Sequence, residues 1–405
     1  MAALGGLGGL LRARAAGSGA CKNLIVVLNF GGWDTTYSID PKPGLPRIDA
    51  PEGDVQMFGG GLPIFASPTR PQVTRFFETW GSECAVVNGV QVRSFVHSDC
   101  VKRILTGSPS ETTPDLAAIS AYELGRERPV PYLAFGSQAR SGPYASLTGR
   151  TGTVNQLSTL ANPDRAYPRP GSFTPDRGFE PTAAEEELVR TYLEDRASAL
   201  SERVGTRGYN GHRIDDYRGS LMRAELLRQF SLDNDLGELD YTPDLAVQVP
   251  MAVNAMRDGL AQTIMMETGG WDTHANNAMQ AELHDNLFGA LDQLLQGLND
   301  ENMLDETMVV VLSEMGRTPL LNDQMGKDHW PVTSAMLVGG DVRGGRALGR
   351  TNDELGAMSM NLQTGAVEAE GKQLQTSNLI AGVLDAVGVD PESYLPGVEA
   401  FRAFL

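Results

Sequence analysis

Short apolar runs recur along the chain, and most of them lack the polar face of an amphipathic helix. They lie at residues 23–30, 84–92, 132–135, 262–267, 308–312 and 335–338 and are rich in Val, Ile, Leu and Met. Short, uniformly apolar runs are typical of strands that are covered on both faces of a sheet. These runs therefore predict the central strands.

Segments of helical composition or spacing alternate with these runs. Helices are predicted at residues 72–81, 113–124, 183–204, 217–232, 244–260, 275–298 and 378–387, the last capped by Ser377. Residues 94–100 predict a tight turn into one more short helix, which ends at Gly107. The alternation predicts an α/β fold with a mostly parallel central sheet sandwiched by helices.

The chain offers no clear linker, so residues 23–405 are predicted to form a single domain with a helical insertion around residues 183–240. Residues 37–71 and 136–181 carry many Pro and Gly and predict long loops that select the substrate. Residues 341–372 predict a polar hairpin excursion.

Residues 1–22 are small and apolar and then reach Ala-Arg-Ala-Ala, which predicts an export signal and a periplasmic or extracellular location. A disordered Ala/Gly leader is the alternative. A twin-arginine (Tat) route would suit a protein that folds around its metal, although the arginine pair itself is absent. No later apolar run reaches the length of a membrane span.

The net charge of −18 and the isoelectric point near 4.7 disfavour nucleic acid and anionic membranes as partners, because both require a basic face. An anionic substrate would need a local positive centre, such as a metal ion or a few arginines. The three cysteines show no Cys-x-x-Cys spacing, which disfavours a thiolate zinc site or a disulfide framework.

Polar residues follow several predicted strands. Gly-Gly-Trp-Asp occurs twice, ending at Asp34 and at Asp272, and His274 follows the second copy. In extended chain, Asp272 and His274 point the same way, and a carboxylate beside an imidazole suits a divalent metal. Turn-forming residues are the alternative for any one of them. The predicted metal ligands are Asp34, His97, Asp272, His274, Glu314, Asp328 and His329.

Arg317 lies three residues after Glu314, and its guanidinium would suit a tetrahedral oxyanion. A surface ion pair between Glu314 and Arg317 is the competing interpretation. Lys102 or Lys327 would add positive charge for the same anion.

In this order, the motifs Gly-Gly-Trp-Asp, Gly-Gly-Trp-Asp-Thr-His, Ser-Glu-Met-Gly-Arg-Thr-Pro and Asp-His-Trp resemble bacterial exported proteins catalogued as domain of unknown function 1501. That family belongs with the alkaline phosphatase and sulfatase superfamily. The resemblance runs from about residue 23 to the C-terminal helix. It implies an alkaline-phosphatase-like fold and a two-metal centre that cleaves phosphate or sulfate esters, with zinc foremost and manganese, iron or calcium as alternatives. By position, the resemblance makes Asp34, Asp272, His274 and His329 ligands, and it puts Glu314 where the superfamily has an aspartate.

The chain departs from the superfamily at the nucleophile. That residue stands nine positions before a Thr-Gly, and counting back from Thr106-Gly107 gives His97 rather than Ser, Thr or Cys. His97 could be a ligand, a phosphohistidine nucleophile or an acid–base group; we favour the ligand or acid–base role, with a metal-bound water as the attacking group. Ser98 as nucleophile is a secondary hypothesis.

Three functions are open from the sequence. The first is an exported, metal-dependent hydrolase of small or polymeric anionic phosphate or sulfate esters. The second is a non-catalytic, metal-stabilised binding protein, because a fold alone does not establish activity. The third is a calcium-held structural protein, which three candidate histidines disfavour.

Overall fold

The computed structural model describes residues 22–151, 182–205 and 242–405, together with residues 214, 217–219, 226–227 and 229–230. The predicted leader, most of the second predicted loop and most of the helical insertion lie outside the described residues. The helix at the start of that insertion is confirmed. The division into domains stays a prediction.

The described strands are β1 (Asn23–Asn29), β2 (Asp54–Phe58), β3 (Leu62–Ala66), β4 (Cys84–Gln91), β5 (Tyr132–Phe135), β6 (Thr148–Thr151), β7 (Thr263–Thr268), β8 (Thr307–Leu312), β9 (Gly316–Arg317), β10 (His329–Trp330), β11 (Val332–Gly339) and β12 (Arg346–Leu348). The described α-helices are α1 (Pro71–Trp80), α2 (His97–Thr106), α3 (Leu116–Leu124), α4 (Ala183–Val204), α5 (Leu245–Arg257), α6 (Gln280–Asp300) and α7 (Thr376–Ala386).

One sheet of eight strands forms the centre, in the order β12-β4-β11-β8-β1-β7-β5-β6. Strand β1 pairs in parallel with both β7 and β8. Strand β11 runs antiparallel to its two neighbours, β4 and β8. The mostly parallel α/β sheet predicted from the sequence is confirmed, with one reversed strand.

Helices cover both faces of this sheet. Because side chains alternate across a strand, Ile25 and Val27 of β1 pack in a core with α1, α5 and α6, whereas Leu24, Val26 and Leu28 pack with α2, α3 and α7. Every residue of β8 and β11 is buried. This double burial explains why the central strands show no polar face in the sequence.

The predicted loop at residues 37–71 is wrong in part, because it contains the hairpin β2–β3. Strand β2 is only five residues long, exposed at nearly every residue and flanked by Pro- and Gly-rich chain, which conceals it in the sequence. Gly59 and Gly60 have φ values of +54° and +87°, which permit the tight turn between the two strands.

Three predicted helix starts are also wrong. Helix α3 begins at Leu116 rather than at residue 113, with Asp115 as its N-cap. Helix α6 begins at Gln280 rather than at residue 275, because Asn276 has φ +55° and interrupts the helical backbone. Helix α7 begins at Thr376, and Gln375 rather than Ser377 is its N-cap, through a capping box with Asn378. Among the described helices, none is long and apolar enough to cross a membrane.

The topology brings several chain segments to one edge of the sheet. Strands β1, β7, β8 and β4 share a direction, so the segments that follow them begin at the same edge. Because β11 is reversed, the residues that precede it, including β10, also lie at that edge. In open α/β sheets this is where ligands bind.

Candidate metal centre

Three histidines and one aspartate converge at this edge, and we refer to His97, Asp272, His274 and His329 as the open cluster. Oδ1 of Asp272 lies 3.1 Å from Nε2 of His274 and 3.2 Å from Nε2 of His329, and its Oδ2 lies 3.4 Å from Nε2 of His97. The Nε2 atoms of His274 and His329 are 2.9 Å apart. The side chain of Asp272 is 47% exposed, so the cluster is open to solvent.

Each imidazole of the open cluster is held through its Nδ1 atom. The contacts are His97 to Oε1 of Glu314 at 2.7 Å, His274 to Oδ1 of Asp328 at 2.8 Å, and His329 to the main-chain oxygen of Phe95 at 2.6 Å. A carbonyl oxygen only accepts, so Nδ1 of His329 carries a proton, and in the neutral ring this leaves Nε2 as the nitrogen that binds a metal. Partners of this kind fix the ring orientation and tautomer of metal-binding histidines.

Local backbone geometry makes this convergence possible. His97 is the first residue of α2, directly after the turn that follows β4. Gly31 has φ +126°, and a Cβ there would lie 2.5 Å from the backbone nitrogen of Asp272. The two Gly-Gly-Trp-Asp segments are thus in backbone contact, which only glycine allows at residue 31.

The charges around the cluster favour an ionised carboxylate. The hydrogen bond with Glu314 raises the pKa of His97 above its usual value, against the opposing effect of burial. Burial by itself would raise the pKa of Asp272, but the hydrogen bond and charge of Arg317 outweigh it and the pKa is lowered. Asp272 is therefore an anion at neutral pH.

The residues present fit a divalent metal ion. Nε2 of His97 is buried and has no hydrogen-bond partner among the described residues. Ligand atoms of His97, Asp272 and His329 all lie within 4.8 Å of one another. Imidazole nitrogens with one carboxylate oxygen suit zinc, manganese or iron better than calcium, which prefers oxygen ligands.

The environment of Asp34 differs from that expected of a metal ligand, because both of its carboxylate oxygens are already engaged by the protein. Its Oδ1 accepts hydrogen bonds from the main-chain nitrogen and Oγ1 of Thr36, at 3.2 and 2.7 Å. Its Oδ2 accepts from Nδ2 of Asn277 at 2.9 Å and lies 2.7 Å from Nζ of Lys327. Burial would raise the pKa of Asp34, but Lys327 and these hydrogen bonds outweigh burial and lower it. We call Asp34 and Lys327 the closed pair.

Arg317 is buried, and its guanidinium binds the protein rather than pointing to solvent. Its Nε donates to the oxygen of Gly32 at 2.8 Å, its Nη1 to the oxygen of Lys327 at 3.0 Å, and its Nη2 to Oδ1 of Asp272 at 2.6 Å and to the oxygen of Gly31. This arrangement does not fit the predicted contact with a substrate anion, because every guanidinium nitrogen already donates within the chain. Arg317 holds Asp272 in place.

The remaining predicted residues lie around the cluster in other roles. Glu314 is fully buried and pairs with His97, not with Arg317, so the alternative of a surface ion pair does not apply. Ser98 is exposed at the second position of α2, where its side chain points about 100° away from that of His97. Lys102 pairs with Asp99 at 3.3 Å and Glu111 at 2.5 Å. Phe95 was missed because its role is made by the backbone.

Two clefts adjoin this edge. A groove of about 590 Å³ is lined by Asp328, Trp330, Leu320 and other residues, and so begins directly beside the open cluster. A larger cleft of about 960 Å³ lies between α1, α5 and α6. No residue of the open cluster lines either cleft, but Asp328, which binds His274, and Trp330, which follows His329, line the smaller groove.

Residues 21–402 match the family described as "Protein of unknown function (DUF1501)", and the chain belongs to this family. The family predicted from the motifs is thereby confirmed. No curated protein matches the sequence.

The chain is also similar to several solved structures. It is 9% identical to a 2-O GAG sulfatase, covering 94% of this chain and 75% of that one, with a TM-score of 0.43. It is 10% identical to the C-terminal periplasmic domain of EcEptC from Escherichia coli in complex with Zn, covering 96% and 88%, with a TM-score of 0.43. It is 12% identical to a protein of the alkaline phosphatase superfamily from Vibrio parahaemolyticus, covering 92% and 67%, with a TM-score of 0.36.

Proposed function

We propose that this protein is an exported, metal-dependent hydrolase of phosphate or sulfate esters, with its metal held by the open cluster. The observation that carries the proposal is the convergence of three oriented imidazole Nε2 atoms on the carboxylate of Asp272. A divalent cation bound there would supply the positive charge that activates water and neutralises the anionic ester. Among the described residues, Arg317 lies beside the open cluster, but its guanidinium is engaged by the protein.

The chain's own groups have distinct tasks in this proposal. Asp272 and the three histidines bind the cation, while Glu314, Asp328 and the carbonyl of Phe95 hold the imidazoles. The first N–H groups of α2 have no partner inside the helix, and the positive end of the helix lies beside His97. These amides are suited to receive the ester's anionic oxygens.

Hydrolysis adds a water oxygen to phosphorus or sulfur and breaks the bond to the ester oxygen. One water proton goes to the departing alcohol and the other to the acid product or solvent. The direction of the Ser98 side chain supports water rather than this serine as the attacking group. A phosphohistidine on Nε2 of His97 is the remaining covalent alternative. Label from the ester that stays on the chain and is released by acid would reveal it.

The groove beside Asp328 supports a substrate larger than the anion alone. Trp330 is partly exposed and Leu320 is 51% exposed, so the groove offers apolar surface next to polar groups. The organic part of a small or polymeric ester would lie there, with its anionic group at the open cluster.

The test combines metal analysis of the purified chain with assays on aryl phosphates and aryl sulfates. We expect bound zinc, manganese or iron and turnover of one ester class, with both lost in Asp272→Ala. Ser98→Ala is the matched control on the same edge and should retain metal and turnover. A chain that holds no metal, or an Asp272→Ala variant with full turnover, would rule the hydrolase proposal out.

A second candidate function is a non-catalytic, metal-stabilised binding protein. Ligand atoms of His97, Asp272 and His329 lie within 4.8 Å of one another, and His274 as a fourth ligand would fill a tetrahedral shell, which is the arrangement of structural metal sites. Bound transition metal without turnover of any ester would support this candidate. Calcium as the sole bound ion would instead support a structural role.

Export belongs to the same proposal. Cell fractionation of the expressed chain should place it outside the cytoplasm, and a cytoplasmic protein would contradict this part alone.

A further inference from the structure

Lys327 is a buried ammonium with one anionic partner. Its side chain is 0% exposed, and Nζ lies 2.7 Å from Oδ2 of Asp34. No other hydrogen-bond partner of Nζ is found among the described residues. Burying an ammonium with unused N–H groups costs stability, and well-packed apolar side chains usually serve a core at least as well. Stability alone therefore does not account for this lysine.

The surroundings of Asp34 have the composition of a cation site. Its carboxylate follows the central strand β1 at the same edge of the sheet as the open cluster. The hydroxyl oxygen of Thr36 lies 2.7 Å from Oδ1 of Asp34, and Asn277 donates from its amide nitrogen to Oδ2. Carboxylate and hydroxyl oxygens are ligands that divalent cations accept. The positive charge present at this place is the lysine itself.

We propose that the ammonium of Lys327 is a built-in cation that occupies the place of a second divalent ion beside Asp34. The chain then holds one metal ion, at the open cluster, instead of the two expected from the sequence. The total of one rests on the proposed metal centre. The claim that the position beside Asp34 is closed by Lys327 does not.

Lys327 also connects the closed pair to the open cluster. Its main-chain nitrogen donates to the oxygen of Thr273 at 3.0 Å, and its carbonyl accepts from Nη1 of Arg317 at 3.0 Å. Asp328, which binds His274, and His329, which is part of the open cluster, follow Lys327 directly. The ammonium thus anchors the segment that carries His329 without depending on an exchangeable ion.

The experiment compares metal content per full-length chain, by elemental analysis after equilibration with zinc or manganese, and thermal unfolding with and without metal. The variants are Lys327→Met, which removes the ammonium, and Asp34→Asn/Lys327→Met, which removes both charges. Lys372→Met is the control, because this exposed lysine also pairs with a carboxylate, Glu399, at 2.5 Å. We expect one equivalent of metal per chain in wild type. Lys327→Met should bind one equivalent more and show a metal-dependent rise in Tm. The double variant and Lys372→Met should keep the wild-type metal content.

Each outcome decides the matter. Two equivalents in wild type, or a folded Lys327→Met with no added ion, would overturn the proposal. If Lys327→Met does not fold, the double variant decides: unchanged metal content supports the proposal, and loss of the metal shows that Asp34 is a ligand and overturns it. A wild type without metal whose Lys327→Met variant gains one ion would end the proposed function and leave this inference standing.

Discussion

The open cluster and the closed pair each contain an aspartate from the same tetrapeptide, but the two aspartates lie in opposite environments. Asp34 and Asp272 each follow Gly-Gly-Trp at the ends of neighbouring parallel strands, β1 and β7. The carboxylate of Asp34 is 1% exposed and receives hydrogen bonds on both oxygens, whereas that of Asp272 is 47% exposed and faces three imidazoles. The surroundings of the motif, rather than the motif, determine which aspartate is available to a ligand.

The largest expected effect separates the two regions by metal content. Asp272→Ala should lower metal affinity by more than about 100-fold, because even the loss of a partner behind a ligand costs 10–100-fold. The apo protein should lose less stability than Asp34→Ala, because Asp272 is half exposed and the buried Arg317 keeps its main-chain carbonyl partners. Isothermal titration with zinc and urea unfolding of the metal-free chain measure the two quantities, and unchanged affinity would remove Asp272 from the site.

Asp34→Ala should show the reverse pattern. It leaves the ammonium of Lys327 buried without its counter-charge, and breaking a buried pair costs about 3–5 kcal/mol. We expect this loss in the free energy of unfolding of the metal-free chain, measured in urea. A loss below about 1 kcal/mol would mean that the closed pair is accessible to water. Asp34 and Asp272 would then not differ in their environments.

Glu314→Gln addresses the support of the open cluster. The amide oxygen still accepts from Nδ1 of His97, but the negative charge behind the ring is gone. Metal affinity should fall about 10–100-fold, as for other partners behind metal-binding histidines. Asp328→Asn is the comparison: its side chain is 59% exposed, so solvent weakens its interaction with His274 and the change should be smaller. The opposite ranking would contradict this account.

A pH effect should come from His284, which lies beside the closed pair. Its Nε2 donates to the carbonyl of Asp34 at 3.0 Å, and burial lowers its pKa to about 3. The folded state therefore binds fewer protons than the unfolded state below the ordinary histidine value. The free energy of unfolding is therefore unaffected by the protonation of His284 above about pH 6.5. It decreases as pH falls towards 3, by up to about 1.4 kcal/mol per pH unit. The slope should be shallower in His284→Gln, measured by urea unfolding at pH 7 and 4.5; equal slopes would show that His284 is protonated in the fold.

The smallest expected effect is that of Ser98→Ala. Ser98 points away from the open cluster, so turnover and metal affinity should stay within about twofold of wild type. Loss of turnover with intact metal binding would revive the serine nucleophile.

The sequence predicted which residues lie at this edge of the sheet better than it predicted their contacts with one another. Strand-end spacing brought His97, Asp272 and His274 together, because carboxyl ends of parallel strands meet at one edge. His329 was also selected, but it reaches the edge through the segment that precedes the reversed strand β11. The same reasoning also selected Asp34, since a strand pattern does not reveal that Lys327 lies against it. Glu314 and Asp328 were correctly associated with the edge, but whether a carboxylate binds a metal or a histidine depends on distances that no spacing encodes.

Other features of the fold lay beyond the pattern for physical reasons. An apolar run buried on both faces looks the same in either direction, so the reversal of β11 was not detectable. Strand β2 is short and exposed between Pro- and Gly-rich segments, so the hairpin resembled a loop. The carbonyl of Phe95 carries no side-chain signature at all.

The reversal of β11 also governs when the metal centre can exist. His329 reaches the edge only through the segment that precedes this strand, and its contact with Phe95 joins residues 234 positions apart. A chain still emerging from the ribosome has His97, Asp272 and His274 before it has their last partner. Contacts this distant along the chain form late, because loop closure must precede them. In the proposed function, metal binding would therefore follow the nearly finished fold, and a chain truncated before His329 should mature without an ion.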